Sequence, residues 1–266
     1  MTMNLLPHII LMLGDDLGSY EVGYHNPRAI TPNIDALAAE GIKLERHYAF
    51  HCCSPTRTST MTGRLPFHGN QHNPNDLNST GGVDLRMTML PSKLKSAGYR
   101  TSMIGKSHLG ARSVAHLPIN RGFDEHFGFL GGGEDHFTQV SGEDPLVPGL
   151  IDLWRDHGPA YGENGTFSGY LYAAEAERVI ERHAAANASV PLFMYLAWHL
   201  VHSPLEAPEQ YWDPKVRAQI VLTRALFFNL CSDVRTHSQT NNLPHFPLLT
   251  YNYSARTTRI ASSSTP

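Results

Sequence analysis

The run Pro7-His-Ile-Ile-Leu-Met-Leu-Gly-Asp-Asp16 decides the fold prediction for this chain. Its apolar residues are continuous rather than alternating, which is typical of a strand buried on both faces of a parallel sheet. Gly14 ends the run, and two carboxylates follow it directly at Asp15 and Asp16. We therefore predict a central β-strand with an acidic loop at its carboxyl end.

Further strand and helix patterns alternate along the chain. Apolar runs predict strands at Ile42–Phe50, Tyr99–Ile104 and Pro191–Trp198. Amphipathic patterns, two of them closed by a glycine, predict helices at Asn33–Gly41, Leu90–Ala97 and Gly169–Ala186. This alternation favours an α/β fold, with a mostly parallel sheet flanked by helices.

Polar residues follow three of the predicted strands at the point where each strand ends. Asp15 and Asp16 come after the first, and the other two are followed by Lys106 with His108 and by His199 with His202. Ligands bind beyond the carboxyl ends of the strands in sheets of this kind. We therefore predict one shared rim of carboxylate, ammonium and imidazole groups, against the alternative that these are ordinary solvated loop residues.

The overall composition excludes several classes of protein. The chain has 266 residues, a formal charge of -3 and 41% hydrophobic residues, which is unlike a globally disordered chain or a basic nucleic-acid binder. No apolar run reaches the roughly 18 residues that a membrane-spanning helix needs. Three cysteines are too few for a disulfide scaffold, whereas 16 histidines direct attention to metal or acid–base chemistry.

The composition changes sharply near residue 214. Residues 1–214 carry a net charge of -8, whereas residues 215–266 carry +5 and a single acid, Asp233. The alternation of helix and strand patterns also stops there. We therefore divide the chain into an N-terminal domain at 1–214 and a divergent basic tail at 215–266, which is expected to be irregular or disordered. A basic interaction tail is the alternative.

The string Cys53-Ser-Pro-Thr-Arg57, followed by Thr62-Gly-Arg64, contains the most distinctive chemistry. Pro55 suits the first position of a helix, which would place Cys53 at the positive helix end, where a thiolate is favoured. The nearby guanidinium of Arg57 would strengthen an anion site. On the residues alone, a reactive cysteine and a buried structural one remain equal alternatives.

This string resembles the signature of the sulfatase family, C-x-P-x-R followed by T-G-R. Four more blocks between residues 7 and 213 resemble that family in the same order, and one loop resembles its arylsulfatase B (N-acetylgalactosamine-4-sulfatase) group. The four blocks are Leu13–Gly18 with Thr31–Gly41, Gly105–Gly110, Arg121–Asp124 and Trp198–Leu205, and the loop is Gly128–Asp135. The resemblance implies the alkaline-phosphatase/sulfatase-like fold, incomplete at its C-terminal side.

The resemblance also implies a sulfuric ester hydrolase that cleaves sulfate esters of sugars or aryl alcohols. Cys53 would be oxidised to formylglycine by a formylglycine-generating enzyme, and the hydrated aldehyde would attack sulfur. Asp15, Asp16 and the modified Cys53 would hold a divalent metal, with Ca²⁺ expected and Mg²⁺ as the alternative, because hard cations prefer oxygen ligands.

Four further residues receive roles from the same resemblance. Arg57 would hold the hydrated aldehyde, and Lys106 would contact the sulfate oxygens. His108 would accept a proton during release of sulfate, and His202 would bind the substrate and protonate the leaving oxygen. His199 is a candidate to support His202.

The family pattern is incomplete in this chain. Its second metal block, an Asp-Asn pair, and a further sulfate-binding lysine have no counterpart in the sequence. We therefore expect a C-terminally truncated sulfatase. Both an active and an inactive form of it remain open. The alternatives are an inactive pseudoenzyme or fragment and a related phosphomonoester or phosphonate hydrolase. A redox protein that uses Cys52 and Cys53 is a further, more remote alternative.

Localisation rests on weaker signals. Four Asn-x-Ser/Thr sequons occur, and they favour a glycoprotein on the secretory route, lysosomal or secreted as the family resemblance also suggests: Asn78, Asn164, Asn187 and Asn252. The apolar run Leu5–Leu13 is short, lacks a basic flank and resembles a strand more than a signal peptide.

Overall fold

The computed structural model describes residues 6–69, 81–141, 149–187, 189–211 and 248–251. They form one sheet in the order β5-β4-β3-β2-β6-β1-β7. The strands are β1 Ile9–Leu13, β2 Arg100–Gly105, β3 Glu125–Gly128, β4 Trp154–Arg155, β5 Gly158–Pro159, β6 Leu192–Ala197 and β7 Leu248–Tyr251. Strands β3, β2, β6, β1 and β7 pair in parallel, whereas the pairs β3–β4 and β4–β5 are antiparallel. The predicted α/β class with a mostly parallel sheet is confirmed.

Helices cover both faces of the sheet. They are α1 Pro32–Glu40, α2 Cys53–Thr62, the short turn α3 Pro66–Gly69, α4 Leu90–Ser96 and α5 Ser168–Asn187. Helix α5 packs against β2, β3 and β6. Helix α4 packs on β2 from the other face and also contacts α2. Within the described residues, no helix is both long and apolar enough to cross a membrane.

Strand β6 explains why the central sequences are continuously apolar. Met194 and Leu196 enter the core beneath α5, whereas Phe193 and Tyr195 enter the core beneath α2 and α4. Every residue of Leu192–Ala197 is buried. A strand that separates two cores has no solvent-facing side, so its sequence does not alternate between apolar and polar residues.

The predicted strand at Ile42–Phe50 is wrong. This stretch has no strand in the structure, and Ile42 is 91% exposed. Apolar β-prone residues form a strand only where a neighbouring strand accepts their backbone hydrogen bonds, and none of the described strands pairs with this stretch.

Four residues of the predicted basic tail belong to the sheet. Leu248–Tyr251 form β7, which pairs in parallel with β1 from Ile10↔Leu248 to Leu13↔Tyr251. These four residues are regular rather than irregular, because the outer edge of β1 offers unpaired backbone groups. The rest of the predicted tail, residues 215–247 and 252–266, lies outside the described residues, as do sequons Asn78 and Asn252.

Gly105 allows the strands to meet closely at the rim. It has a φ of +94°, and a Cβ there would lie 2.1 Å from the carbonyl oxygen of Ala197 at the end of β6. Only glycine tolerates both the backbone conformation and that approach. Gly105 therefore fixes the position of the next residue, Lys106.

Candidate active site

The three strand ends meet as predicted. The amide of Asp15 donates to the carbonyl of Leu200 at 2.9 Å, and the amide of Lys106 donates to the carbonyl of Ala197 at 2.9 Å. Strands β1, β6 and β2 are neighbours in the sheet, so the loops that follow them share one rim. Asp15, Lys106 and His199 are all buried there.

Asp15 lies between two buried cations. Its Oδ2 accepts a hydrogen bond from Lys106 Nζ, and its Oδ1 lies 3.5 Å from Arg57 Nη2. Burial alone would raise the pKa of Asp15, but Lys106 and Arg57 outweigh that effect and hold it well below its usual value. The carboxylate is therefore ionised, and it balances only one of the two buried positive charges.

Arg57 is anchored from α2 onto the sheet. Its Nη1 donates to the carbonyl of Lys106 at 2.7 Å and to Tyr195 Oη at 3.3 Å. Among the described residues its buried Nε has no hydrogen-bond partner, and its buried Nη2 has only the 3.5 Å ion pair with Asp15. Buried guanidinium donors without a hydrogen bond are rare, and they favour an anion as the missing acceptor.

Cys53 lies at the beginning of α2, which starts there and not at Pro55 as predicted. Proline fits the third helical position because the first-turn amides lack intrahelical acceptors anyway. The helix end alone favours a thiolate, and burial opposes it. Partial burial, with a further contribution from Asp15, raises the pKa of the thiol to about 11 despite the opposing effect of Lys106. Cys53 as such is therefore a protonated thiol at neutral pH and a poor nucleophile.

Two residues of the rim adopt a backbone conformation that side chains rarely occupy. Asp16 has a φ of 58° and His108 a φ of 50°. Such left-handed residues cost free energy and are concentrated at functional sites. The Asp16 side chain is half exposed, whereas His108 is buried, and its amide donates to the carbonyl of Leu130.

Histidines form the wall beside Asp15 and Asp16. His202 Nδ1 lies 2.7 Å from the carbonyl oxygen of Ser203, which can only accept, so Nδ1 carries the proton. Its Nε2 lies 3.8 Å from Asp16 Oδ2. His199 Nε2 lies 3.3 Å from His202 Nδ1, and burial lowers the pKa of His199 well below its usual value. His202 therefore turns its Nε2 toward the carboxylates.

Several buried polar residues near this rim have no predicted role in the sequence analysis. Tyr172 donates to Glu134 Oε1 at 2.5 Å, and burial raises the pKa of Glu134 well above its usual value. Asp152 accepts from the amides of Leu130 and Gly131, yet burial raises its pKa to about 6. For Glu134 the sequence offers one signal, the glycine-rich loop Gly128–Asp135 in which it lies. Asp152 lies outside that loop.

A hard metal fits the residues at the centre of the rim. One ligand atom each from Asp15, Asp16 and Cys53 lies within 4.8 Å of the others. Two carboxylates suit calcium or magnesium, but a thiol is a soft ligand that suits neither. The set fits such a cation only if position 53 presents oxygen, and then it supplies three of the roughly 6–8 ligands that calcium takes.

The chain is similar in sequence to the proteins of one known family. The family model described as Sulfatase matches residues 7–242, which extends beyond the predicted boundary at residue 214. The chain is 37% identical over 244 residues to arylsulfatase J from Mus musculus, covering 90% of this chain and 40% of that protein. It is 34% identical over 236 residues to N-acetylgalactosamine-6-sulfatase from Homo sapiens, covering 80% and 43%.

A solved structure has a similar fold over most of this chain. The crystal structure of Ps i-CgsB in complex with k-i-k-neocarrahexaose superposes with a TM-score of 0.78 at 27% identity, covering 92% of this chain and 57% of that one. The chain therefore spans about two fifths of the length of the two curated relatives and somewhat more than half of the solved structure.

Proposed function

The chain belongs to the sulfatase family, and from this we propose that it hydrolyses sulfuric esters of sugars or aryl alcohols at the rim around Asp15. The family resemblance of the sequence blocks is confirmed by this match. The activity is a proposal for the whole protein, because the chain spans only part of the length of its relatives.

The observation that carries the proposal is the excess of buried positive charge at the rim. Lys106 and Arg57 are almost fully buried, and among the described residues Asp15 is the one carboxylate that forms an ion pair with them. Isolated buried charges are costly, so a cation pair held by a single carboxylate favours a further anion. A sulfate ester has one negative charge and three terminal oxygens that would accept hydrogen bonds from Lys106 and Arg57.

The raised pKa of the Cys53 thiol favours an oxidised nucleophile at position 53 over a thiolate. The protonated thiol of Cys53 cannot supply the attacking electron pair efficiently. We therefore propose that a formylglycine-generating enzyme oxidises Cys53 to formylglycine, which would provide an oxygen nucleophile and an oxygen ligand for the metal. Arg57, one helical turn further along α2, would stabilise negative charge that develops there.

Asp15, Asp16 and the oxidised Cys53 would hold the metal, for which we propose Ca²⁺, with Mg²⁺ as the alternative. When bound, the cation would withdraw electrons from sulfate oxygens and offset their repulsion of a nucleophile. Asp15 is ionised by its cationic neighbours and is therefore ready to ligate.

His202 and His108 would move protons. His202 holds a proton on Nδ1 through Ser203, which leaves Nε2 for the leaving oxygen of the substrate. Protonated at Nε2, His202 would act as the general acid. We assign His108, whose backbone is fixed at the same rim, as the proton acceptor during sulfate release.

The experiment that tests this function compares two esters of one alcohol. The chain is produced together with a formylglycine-generating enzyme and assayed with para-nitrophenyl sulfate and para-nitrophenyl phosphate, with Cys53→Ala as the control. We expect a higher kcat/KM for the sulfate ester and no turnover of it by the control. A preference for the phosphate ester would select a phosphomonoester hydrolase instead, and absence of turnover with full conversion of Cys53 would select a pseudoenzyme.

We also propose a secretory destination, lysosomal or extracellular, on the basis of the sequons and the family. Asn164 is exposed, as an acceptor of an N-glycan must be. Removal of N-glycans by a peptide amidase should lower the apparent mass of protein from secretory cells, and Asn164→Gln should reduce that change.

A further inference from the structure

We propose that Asp152 is a positioning residue for His108, on which it acts through the backbone of the loop that follows β3. Asp152 lies just before β4 and is fully buried. Its carboxylate accepts hydrogen bonds from the amides of Leu130 and Gly131. The proposed hydrolysis leaves this buried carboxylate without a role of its own.

The first link is the contact between the carboxylate and the loop. Asp152 Oδ2 accepts from the amide of Gly131 at 2.7 Å and from the amide of Leu130 at 3.1 Å. Burial raises the pKa of Asp152 to about 6, so the group is mostly ionised at neutral pH. Hydrogen bonds to an ionised acceptor are roughly twice as strong as those between neutral groups. The carboxylate therefore holds two consecutive amides of this loop.

The second link joins the loop to the turn that follows β2. The carbonyl of Phe129 accepts from the amide of Ser107 at 2.8 Å, and the carbonyl of Leu130 accepts from the amide of His108 at 3.1 Å. Leu130 is thus bonded to Asp152 through its amide and to His108 through its carbonyl. His108 is buried with a φ of 50°, a costly conformation that persists only where surrounding contacts hold it. These contacts include the chain of hydrogen bonds from Asp152.

Asp152 is itself held in place. Its amide donates to the carbonyl of Gln139 at 2.9 Å, and Trp154 Nε1 donates to its Oδ1 at 2.9 Å. A residue can position another only if its own rotamer is fixed by packing and hydrogen bonds. An uncharged acceptor costs less free energy to bury than a carboxylate. A carboxylate at this position therefore indicates that the loop is held by strong hydrogen bonds and not by packing alone.

One consequence rests on the proposed hydrolase function. The proposed role of His108 is to accept a proton during sulfate release, a step that follows departure of the alcohol. A displacement of about 1 Å in a catalytic group can lower a rate by about 10²-fold. Loss of the Asp152 carboxylate should therefore slow sulfate release and affect departure of the alcohol much less.

The test compares Asp152→Asn and Asp152→Ala with the parent chain, and Asp156→Asn is the matched control. Asp156 also accepts from a backbone amide, that of His126 at 2.9 Å, but this amide lies within β3 and not in the loop that contacts His108. Amide hydrogen exchange in the full chain, followed at single residues by NMR, measures how firmly the amide of His108 is held. This measurement requires neither a modified Cys53 nor a substrate.

We expect the amides of Ser107 and His108 to exchange roughly 10- to 100-fold faster in Asp152→Asn, and faster still in Asp152→Ala, because a charged hydrogen-bond acceptor is lost. The amides of β1 should exchange as in the parent, and Asp156→Asn should leave Ser107 and His108 unchanged. Unchanged exchange at His108 in Asp152→Asn, or an equal increase in β1, would overturn the proposal. If Asp152→Ala fails to fold, Asp152→Asn decides.

The formylglycine-containing chain provides a kinetic measurement. With para-nitrophenyl sulfate, Asp152→Asn should release about one para-nitrophenolate per formylglycine at the rate of the parent. Turnover after that first release should be roughly 10- to 100-fold slower than in the parent. Equal losses in both phases would contradict a positioning role. Absence of turnover in the parent would refute the hydrolase function, and hydrogen exchange at His108 would still decide whether Asp152 positions it.

Discussion

The guanidinium of Arg57 donates a hydrogen bond of 2.7 Å to the carbonyl oxygen of Lys106, the residue that follows β2. This contact ties the beginning of α2, where Cys53 lies, to the carboxyl edge of the sheet. The buried side chain of Arg57 therefore helps to fix the position of Cys53 relative to Asp15.

Replacing Lys106 tests the buried ion pair. Lys106→Met removes the buried donor to Asp15 Oδ2 while Arg57 still pairs with the carboxylate, so the free energy of unfolding should fall by about 1–3 kcal/mol. The matched control is Lys95→Met, because Lys95 also pairs with an aspartate but is 51% exposed. That variant should lose no more than about 1 kcal/mol. Urea unfolding of the metal-free chain measures both, and equal losses would contradict the assigned burial.

Asp152 should make stability depend on pH. Burial raises its pKa in the folded chain to about 6, above the unfolded value of about 3.9. Between these values the folded state binds the proton and the unfolded state does not, so stability falls as pH rises from about 4 to about 6. At about 1.4 kcal/mol per pKa unit, the loss is roughly 3 kcal/mol.

Asp152→Asn isolates that contribution. The amide keeps one acceptor oxygen for Leu130 or Gly131 and does not titrate, so the variant carries a constant cost at every pH. The difference in unfolding free energy between parent and variant should therefore shrink across this pH range. A difference that stays flat would show that folding does not raise the pKa of Asp152.

His202→Gln tests general acid catalysis through the leaving group. An alkyl or sugar alcohol needs a proton as it departs, whereas para-nitrophenolate does not. We expect kcat for a sugar sulfate to fall by about 10²–10⁴-fold and kcat for para-nitrophenyl sulfate to change much less. Equal losses on both substrates would assign His202 to binding rather than proton transfer.

Asp16→Asn tests the hard-metal site. Asp16 is half exposed, so the substitution should preserve the fold. Calcium should raise the unfolding temperature of the formylglycine-containing parent, because a ligand that binds only the folded state stabilises it. The variant should lose that response, while Asp84→Asn, on a loop elsewhere, should keep it. A calcium response unchanged in Asp16→Asn would exclude this carboxylate as a ligand.

The sequence predicts the rim well because parallel strands place their carboxyl ends together. That rule alone brings Asp15, Lys106 and His199 to one edge. The strands that precede them are continuous apolar runs, which are easily recognised in the sequence. Pro55 predicts the beginning of α2 to within two residues, because proline suits the first turn of a helix.

Other features depend on tertiary packing and could not be predicted. The pKa of Cys53 is set by burial, which outweighs the helix end that the sequence shows. Glu134 and Asp152 are acids in loops, and nothing local distinguishes them from solvated acids. Ile42–Phe50 has the composition of a strand but finds no pairing partner among the described strands.

Turnover as a function of oxidation at position 53 tests the central claim most directly. Preparations with different fractions of formylglycine, quantified by mass spectrometry, are assayed with para-nitrophenyl sulfate in the presence of calcium. The account predicts that kcat per chain rises in proportion to the formylglycine fraction and falls to zero when Cys53 is unmodified. Turnover by the unmodified thiol, or turnover independent of that fraction, would contradict it.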